Sequence, residues 1–171
     1  MPGNFLRVLG YLEVMTDKHL IGTRIVVGFD GTAAAQNALE WAIDVAQSKG
    51  GELVVVCAYR PIAAGELREQ RRQAPADVVH LLQPDAEATE ILGAAQEQAD
   101  AAGVAVECVA RTGTPADVIL EVAEELQARL IIVGTHAERG RRLFHPSIPN
   151  EISRRAKCSV LIVDLEQAVA A

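Results

Sequence analysis

The chain has few cysteines, no long apolar run and no surplus of positive charge, and each shortage removes a class of function. Its three cysteines, Cys57, Cys108 and Cys158, are widely spaced, each within or beside an apolar run. An odd number without CxxC spacing makes neither a disulfide framework nor a zinc site. They read as reduced, buried thiols of a cytoplasmic protein. No apolar stretch approaches the ~20 residues of a membrane span, so no membrane partner is expected. The N-terminus lacks a basic segment followed by a clean apolar core and does not read as a signal peptide. A net charge of −7 argues against general affinity for nucleic acid.

Motifs are missing too. There is no GxxxxGK[ST], so no P-loop. No GxGxxG follows the first strand of the regular pattern, where VGFDGTAAA stands instead, which disfavours an ordinary dinucleotide fold. A receiver domain would need clustered acids there, and only Asp30 is present. The SGGxDS loop of pyrophosphate-releasing ligases is absent. Neither a nucleophile elbow nor a telling carboxylate pair occurs, so no catalytic residue is nominated. His136 and His145 lack Cys or acidic companions at metal spacing and read as surface residues.

What is present is a regular alternation. The 171 residues, 50% of them hydrophobic, suit one domain with a full core. Residues 1–22 read as an extension, in which Phe5, Leu6, Val8, Leu9 and Leu12 suit one face of a short helix. The domain spans 23–165, and 166–171 form a tail. A β-branched run at 24–29 leads to the turn Asp30-Gly31-Thr32 and a helix over 33–48. Gly50-Gly51 closes that helix, and an apolar strand follows at 53–58. Residues 59–85 form the least regular part, with a helical turn or two at 66–72. Arg68, Arg71 and Arg72 there read as a solvated face or as a lid. A helix over 86–102 ends at Gly103, and 104–109 alternates as an edge strand should. Thr114-Pro115 starts a helix running to about Gln127.

The stretch 129–163 concentrates the functional signal. It runs from a strand at 130–133 to Gly134, a polar and basic loop, a short helix from Ile148 to about Ala156, and a strand at 159–163. Ser147 stands at the N-cap and Pro149 in the first turn. Such a loop sets backbone N–H groups and a helix N-terminus beside a strand's carboxyl end, where a phosphate is well received. Between Glu138 and Lys157, six Lys or Arg face two Glu, which favours a small anionic ligand over a polyanion. Arg139, Arg141 and Arg142 read either as a phosphate clamp or as a solvated loop. Arg154, Arg155 and Lys157 are expected to serve the last helix's C-terminal end. Strict alternation makes the strands parallel, with right-handed crossovers and helices on both faces. The expected fold is an open, doubly wound, parallel five-stranded sheet.

Three segments, in order and at matching separations, resemble the universal stress protein family: TRIVVGFDGTAAAQNALEWA, GTPADVILEVAEE and IIVGTH…PSIPNEISRRAKCSVLIV. The resemblance covers nearly all of 23–164. With the alternation, it implies strand order 3-2-1-4-5, counted from the strand at 24–29. It also implies a homodimer paired through the last strand, an apolar edge in that order, and a stress-response role. The implied ligand is an adenine nucleotide (ATP, AMP or cyclic AMP, with or without Mg) between the first and fourth strands. In this family Asp30 matches the acid by adenine and ribose, and Ala58 a small residue against adenine. Gly134 matches the first glycine of G-x2-G-x9-G-[S/T], and Ser147 the closing Ser/Thr.

Two departures stand out. Ala137 and Pro146 occupy the second and third glycine positions, and eight rather than nine residues separate them. The expected nucleotide-binding set is Asp30, Ala58, Gly134, His136, Ala137, Arg139, Arg141, Ser147 and Ile148, with no metal ligands. The alternative is a module of the same fold that binds no nucleotide and works through protein partners, as do relatives lacking the glycine loop. Slow ATP hydrolysis is the most that enzyme chemistry would amount to.

Overall fold

The computed structural model describes residues 5–7, 22–60, 64–73, 75, 85–135 and 147–164. One all-parallel sheet organises them. Its strands are β1 (Phe5–Arg7), β2 (Arg24–Gly28), β3 (Glu52–Tyr59), β4 (Val106–Thr112), β5 (Leu130–Thr135) and β6 (Ser159–Asp164). They lie in the order β1-β6-β5-β2-β3-β4. Counted from Arg24, the five strands from β2 to β6 have the expected order 3-2-1-4-5.

The helices are α1 (Ala33–Lys49), α2 (Ala64–Gln73), α3 (Ala86–Ala101), α4 (Pro115–Glu125) and α5 (Ile148–Arg155). Two apolar clusters, one on each face, show why the strands read as continuous hydrophobic runs. Ile25, Val27, Val55 and Ile132 pack with Leu39, Ala42 and Ala46 of α1 and with Leu92 and Ala95 of α3. Val26, Val54, Ile131 and Val133 pack with Ile119 and Val122 of α4 and with Ile152 of α5. A strand covered on both faces keeps no polar alternation. At the sheet's margin, β4 mixes half-buried and exposed residues and has none fully buried, as suits an edge strand.

Local chemistry sets the boundaries. Thr32 caps α1, its hydroxyl accepting from the Ala35 N–H at 3.3 Å. Gly50 ends that helix in the left-handed region at φ 63°, where glycine carries no Cβ penalty. Trp41 is half-buried against the first cluster.

Several expectations need correction. Phe5–Arg7 is a strand, not part of a helix, and it pairs with β6. Hence β6 is an inner strand of the chain rather than its edge. Val8, Leu9 and Leu12 lie outside the described residues. Strand β4 sits at 106–112 rather than 104–109, because its ladder with β3 continues to Tyr59↔Thr112. Helix α4 stops at Glu125, and Gln127 turns left-handed at φ 52°. Arg155 stands in the last turn of α5 as expected, and both it and Lys157 also pair with acids. Arg155 binds Asp117 and Glu151, each at 2.7 Å, and Lys157 binds Glu124. These are exposed pairs, each worth about 0–1 kcal/mol.

Candidate functional site

Strands β2 and β5 adjoin in register, Val26 opposite Ile131 and Val27 opposite Ile132. From β2 the chain crosses through α1 to β3 on one side; from β5 it crosses through α5 to β6 on the other. The carboxyl ends of β2 and β5 therefore flank the point where strand order reverses, and a crevice opens there in such sheets. Asp30 follows β2 by two residues, and Gly134 is the fifth residue of β5. Both stand at this crevice.

Asp30 is exposed and held by its own turn. Its Oδ1 accepts from the Thr32 N–H at 3.1 Å and from the Thr32 hydroxyl at 2.7 Å. Among the described residues both bonds fall on Oδ1, which leaves Oδ2 for a further donor. Gly31 makes the turn at φ 76°, with Ile91 of α3 beneath it. The negative field of this corner is felt nearby. The Cys57 thiol is pushed up first by burial, then by the charges of Asp30 and Glu87.

Gly134 is shaped by close approach. A Cβ there would overlap the carbonyl of Ala34, in the first turn of α1. No side chain fits on that side, so the end of β5 lies directly against α1. Gly28 is similar: its Cβ would meet Ile119 Cδ1 at 2.5 Å, which keeps α4 tight on the end of β2. Ala58, half-buried near the end of β3, packs on the α4 side of the sheet.

The fourth contributor is the start of α5. Ser147 is its N-cap, extended at φ −62° and ψ 148°, with its hydroxyl making no cap bond. Its carbonyl accepts from the Glu151 N–H at 3.0 Å, so the first turn is formed. Pro149 is buried in that turn, whereas Ile148 is 44% exposed. His136, Ala137, Arg139 and Arg141 lie outside the described residues, as do Arg142, His145 and Pro146. Asp30, Ala58 and Gly134 thus end three neighbouring strands, and Ser147 and Ile148 open the helix that leads from β5 to β6.

Sequence reasoning missed Gly28 and Ala34, the packing partners that set the crevice walls. The signal for Gly28 was a glycine closing a β-branched run; Ala34 contributes backbone and carries no signal. Among the described residues no cluster of His, Cys, Asp and Glu could hold a metal ion. Likewise, no helix among them is long and apolar enough to cross a membrane.

An open, doubly wound α/β sheet with a polar switch-point crevice defines the class of this protein. Residues 23–164 match the model of the universal stress protein family, and the chain belongs to that family. Universal stress protein Rv1636 of Mycobacterium tuberculosis is 34% identical over 145 residues, covering 81% of this chain and 94% of the relative. YxiE, a universal stress protein of Bacillus subtilis, is 27% identical over 144 residues, covering 82% and 97%. Among solved structures, a universal stress protein in complex with cAMP superposes with TM-score 0.62 at 28% identity, covering 82% of this chain and 96% of that one. An Arabidopsis thaliana family protein with AMP bound superposes with TM-score 0.60 at 17% identity, covering 83% and 91%; that likeness supports the fold.

Proposed function

We propose that this chain binds an adenine nucleotide at the crevice between β2 and β5, in a stress-response role. The observation that carries the reading is that β2 and β5, whose carboxyl ends bear Asp30 and Gly134, adjoin at the switch point. The solved relative in complex with cAMP supports the ligand class. In this reading Asp30 Oδ2 accepts from a ribose hydroxyl, and Ala58 lies flat against the adenine. The amides of Ser147 and Ile148 receive a phosphate at the positive end of α5. Gly134 lets the loop leave the sheet without a side chain in the way. His136, Ala137, Arg139 and Arg141 belong to the loop that would close over the phosphates, Arg139 and Arg141 adding positive charge. The reading is one of binding, with slow ATP hydrolysis as the most that enzyme chemistry would add. Magnesium would enter only with a polyphosphate.

The test is direct. Protein purified without added nucleotide is denatured, and the supernatant is read by mass spectrometry. Calorimetric titration with AMP, cyclic AMP and ATP then follows. Asp30→Ala is expected to weaken binding by about one to two orders of magnitude, the ~1.5–3 kcal/mol expected for one hydrogen bond to a charged group. No carried nucleotide and no heat with any of the three would overturn the reading in favour of a module that acts through protein partners.

A further inference from the structure

We propose that Phe5–Arg7 is a self-supplied cap on the sheet, competing with a second copy of this chain for β6. The chain's own N-terminal segment would then govern its assembly. The pairing of two copies expected from the sequence requires a bare β6 edge, and that edge is occupied. Strand β1 lies parallel to β6, with Phe5 opposite Val160, Leu6 opposite Leu161 and Arg7 opposite Ile162.

The margin strand β4 and the strand beneath the cap, β6, differ in their defences against pairing. Along β4, charged Glu107 and Arg111 interrupt the strand, a usual deterrent to edge pairing. Strand β6 reads SVLIVD, with no proline, no lysine and a single charge at its end. Val160, Leu161 and Val163 are buried. Bared, such an edge is a template for another strand. Two copies related by a twofold axis would pair β6 with β6 antiparallel. That ladder would use the same outward N–H and C=O groups that β1 now holds, so the two occupants exclude one another.

The hold of β1 is short and tethered. Three residues of β1 face six of β6, a ladder small enough to open locally. Sixteen residues, 8–23, separate Arg7 from the start of β2. Fully extended they reach ~55 Å, far more than the ~14 Å spanned by three strand spacings. The covalent link keeps β1 at high effective concentration beside β6. At low protein concentration the cap wins; a second copy wins when the cap is disabled.

The experiment compares the full chain with its Phe5→Pro/Leu6→Pro variant. Successive residues of a strand aim their N–H groups to opposite sides, so one of the two prolines must remove a bond to β6. The parent should be monomeric by light scattering across the micromolar range. Its β6 amides should be shielded from hydrogen exchange independently of protein concentration. The variant, its fold checked by circular dichroism, should dimerise at least about tenfold more tightly, because the competent fraction is no longer held down by the cap. Its β6 amides should regain shielding only at concentrations where it dimerises. A variant that stays monomeric, or a parent that already pairs through β6, would overturn the proposal. Parent β6 amides that exchange freely at low concentration would overturn it equally, and that measurement does not depend on the variant's folding.

Discussion

Gly134 and Ala34 stand so close that a methyl group on the glycine would overlap the Ala34 carbonyl and lie 3.0 Å from the Ala34 Cβ. The end of β5 therefore packs directly on the first turn of α1 beside the switch point. Both partners at the clash are backbone or a single methyl, so neither can turn away. Gly134→Ala should cost about 1–3 kcal/mol, as overpacking does, read as a lower midpoint of urea unfolding at unchanged slope. At Gly28 the obstacle is the far end of Ile119, 2.5 Å from the added Cβ. Gly28→Ala should therefore cost less, and pairing it with Ile119→Val should recover part of the loss. Equal costs at the two glycines, with no rescue by Ile119→Val, would contradict this account of the walls.

These walls also mark what could be foreseen. Buried strands and amphipathic helices announce themselves by apolar periodicity, so the alternation was readable from Arg24 to Asp164, while the strand order came with the family resemblance. Asp30 and Gly134 were readable because a turn and a strand end demand such residues. The role of Ala34 was hidden, since backbone in a helix's first turn carries no side-chain signature. The strand at Phe5–Arg7 was hidden for another reason. Three residues are too few to show a period, and their pairing with β6 is a contact across more than 150 positions. For Arg155 and Lys157 the nearness to the end of α5 was visible and their partners on α4, Asp117 and Glu124, were not.

The ion pairs between α4 and α5 predict an acid limit. The Asp117 carboxyl is held below its ordinary value first by the Thr114 hydroxyl and then by Arg155. A carboxylate lowered in the folded state contributes stability above its unfolded value, which is lost as pH falls through the lowered one. Asp117→Asn should thus reduce stability near neutral pH, and the difference from the parent should shrink to nothing in strong acid. Urea midpoints measured at a series of pH values check this. A difference that stays constant down to the lowest pH would mean that Asp117 acts by packing alone.

The thiols should be slow to react while the protein is folded. Cys57 and Cys158 are pushed above the ordinary thiol value chiefly by burial, and Cys108 likewise. Near neutral pH their thiolate fractions fall, and alkylation should proceed only through opening of the structure. Asp30→Asn removes one of the charges that raise Cys57 and should bring its thiol partway back toward the ordinary value. Mass-resolved alkylation across pH reads this site by site. Rapid labelling of Cys57 in the native parent would contradict the burial argument, and an unchanged profile in Asp30→Asn would leave burial and Glu87 as the causes.

The length of the phosphate chain should matter in an unusual direction. In the proposed binding mode Asp30, Ala58 and the start of α5 receive an adenosine and its first phosphate, whereas Ala137 and Pro146 stand at the motif positions whose glycines would serve the later phosphates. Proline offers no N–H, and alanine lacks the freedom for φ > 0 that glycine would give. The loop is also one residue short. Losing one amide bond to a charged phosphate weakens binding by ~1.5–3 kcal/mol, about one to two orders of magnitude. AMP and cyclic AMP should therefore compete with ATP better than they do in a relative with all three glycines. Replacing Pro146→Gly and inserting one residue between Gly140 and His145 should restore affinity for ATP while leaving that for AMP nearly unchanged. Calorimetric titration of parent and repaired protein with both nucleotides separates the outcomes. If the repaired protein gains nothing for ATP, the proline is not the obstacle. If the parent already binds ATP with magnesium tightly, charge from Arg139, Arg141 and Arg142 must replace the missing amides. Neutralising those arginines one at a time should then steepen the loss with each added phosphate.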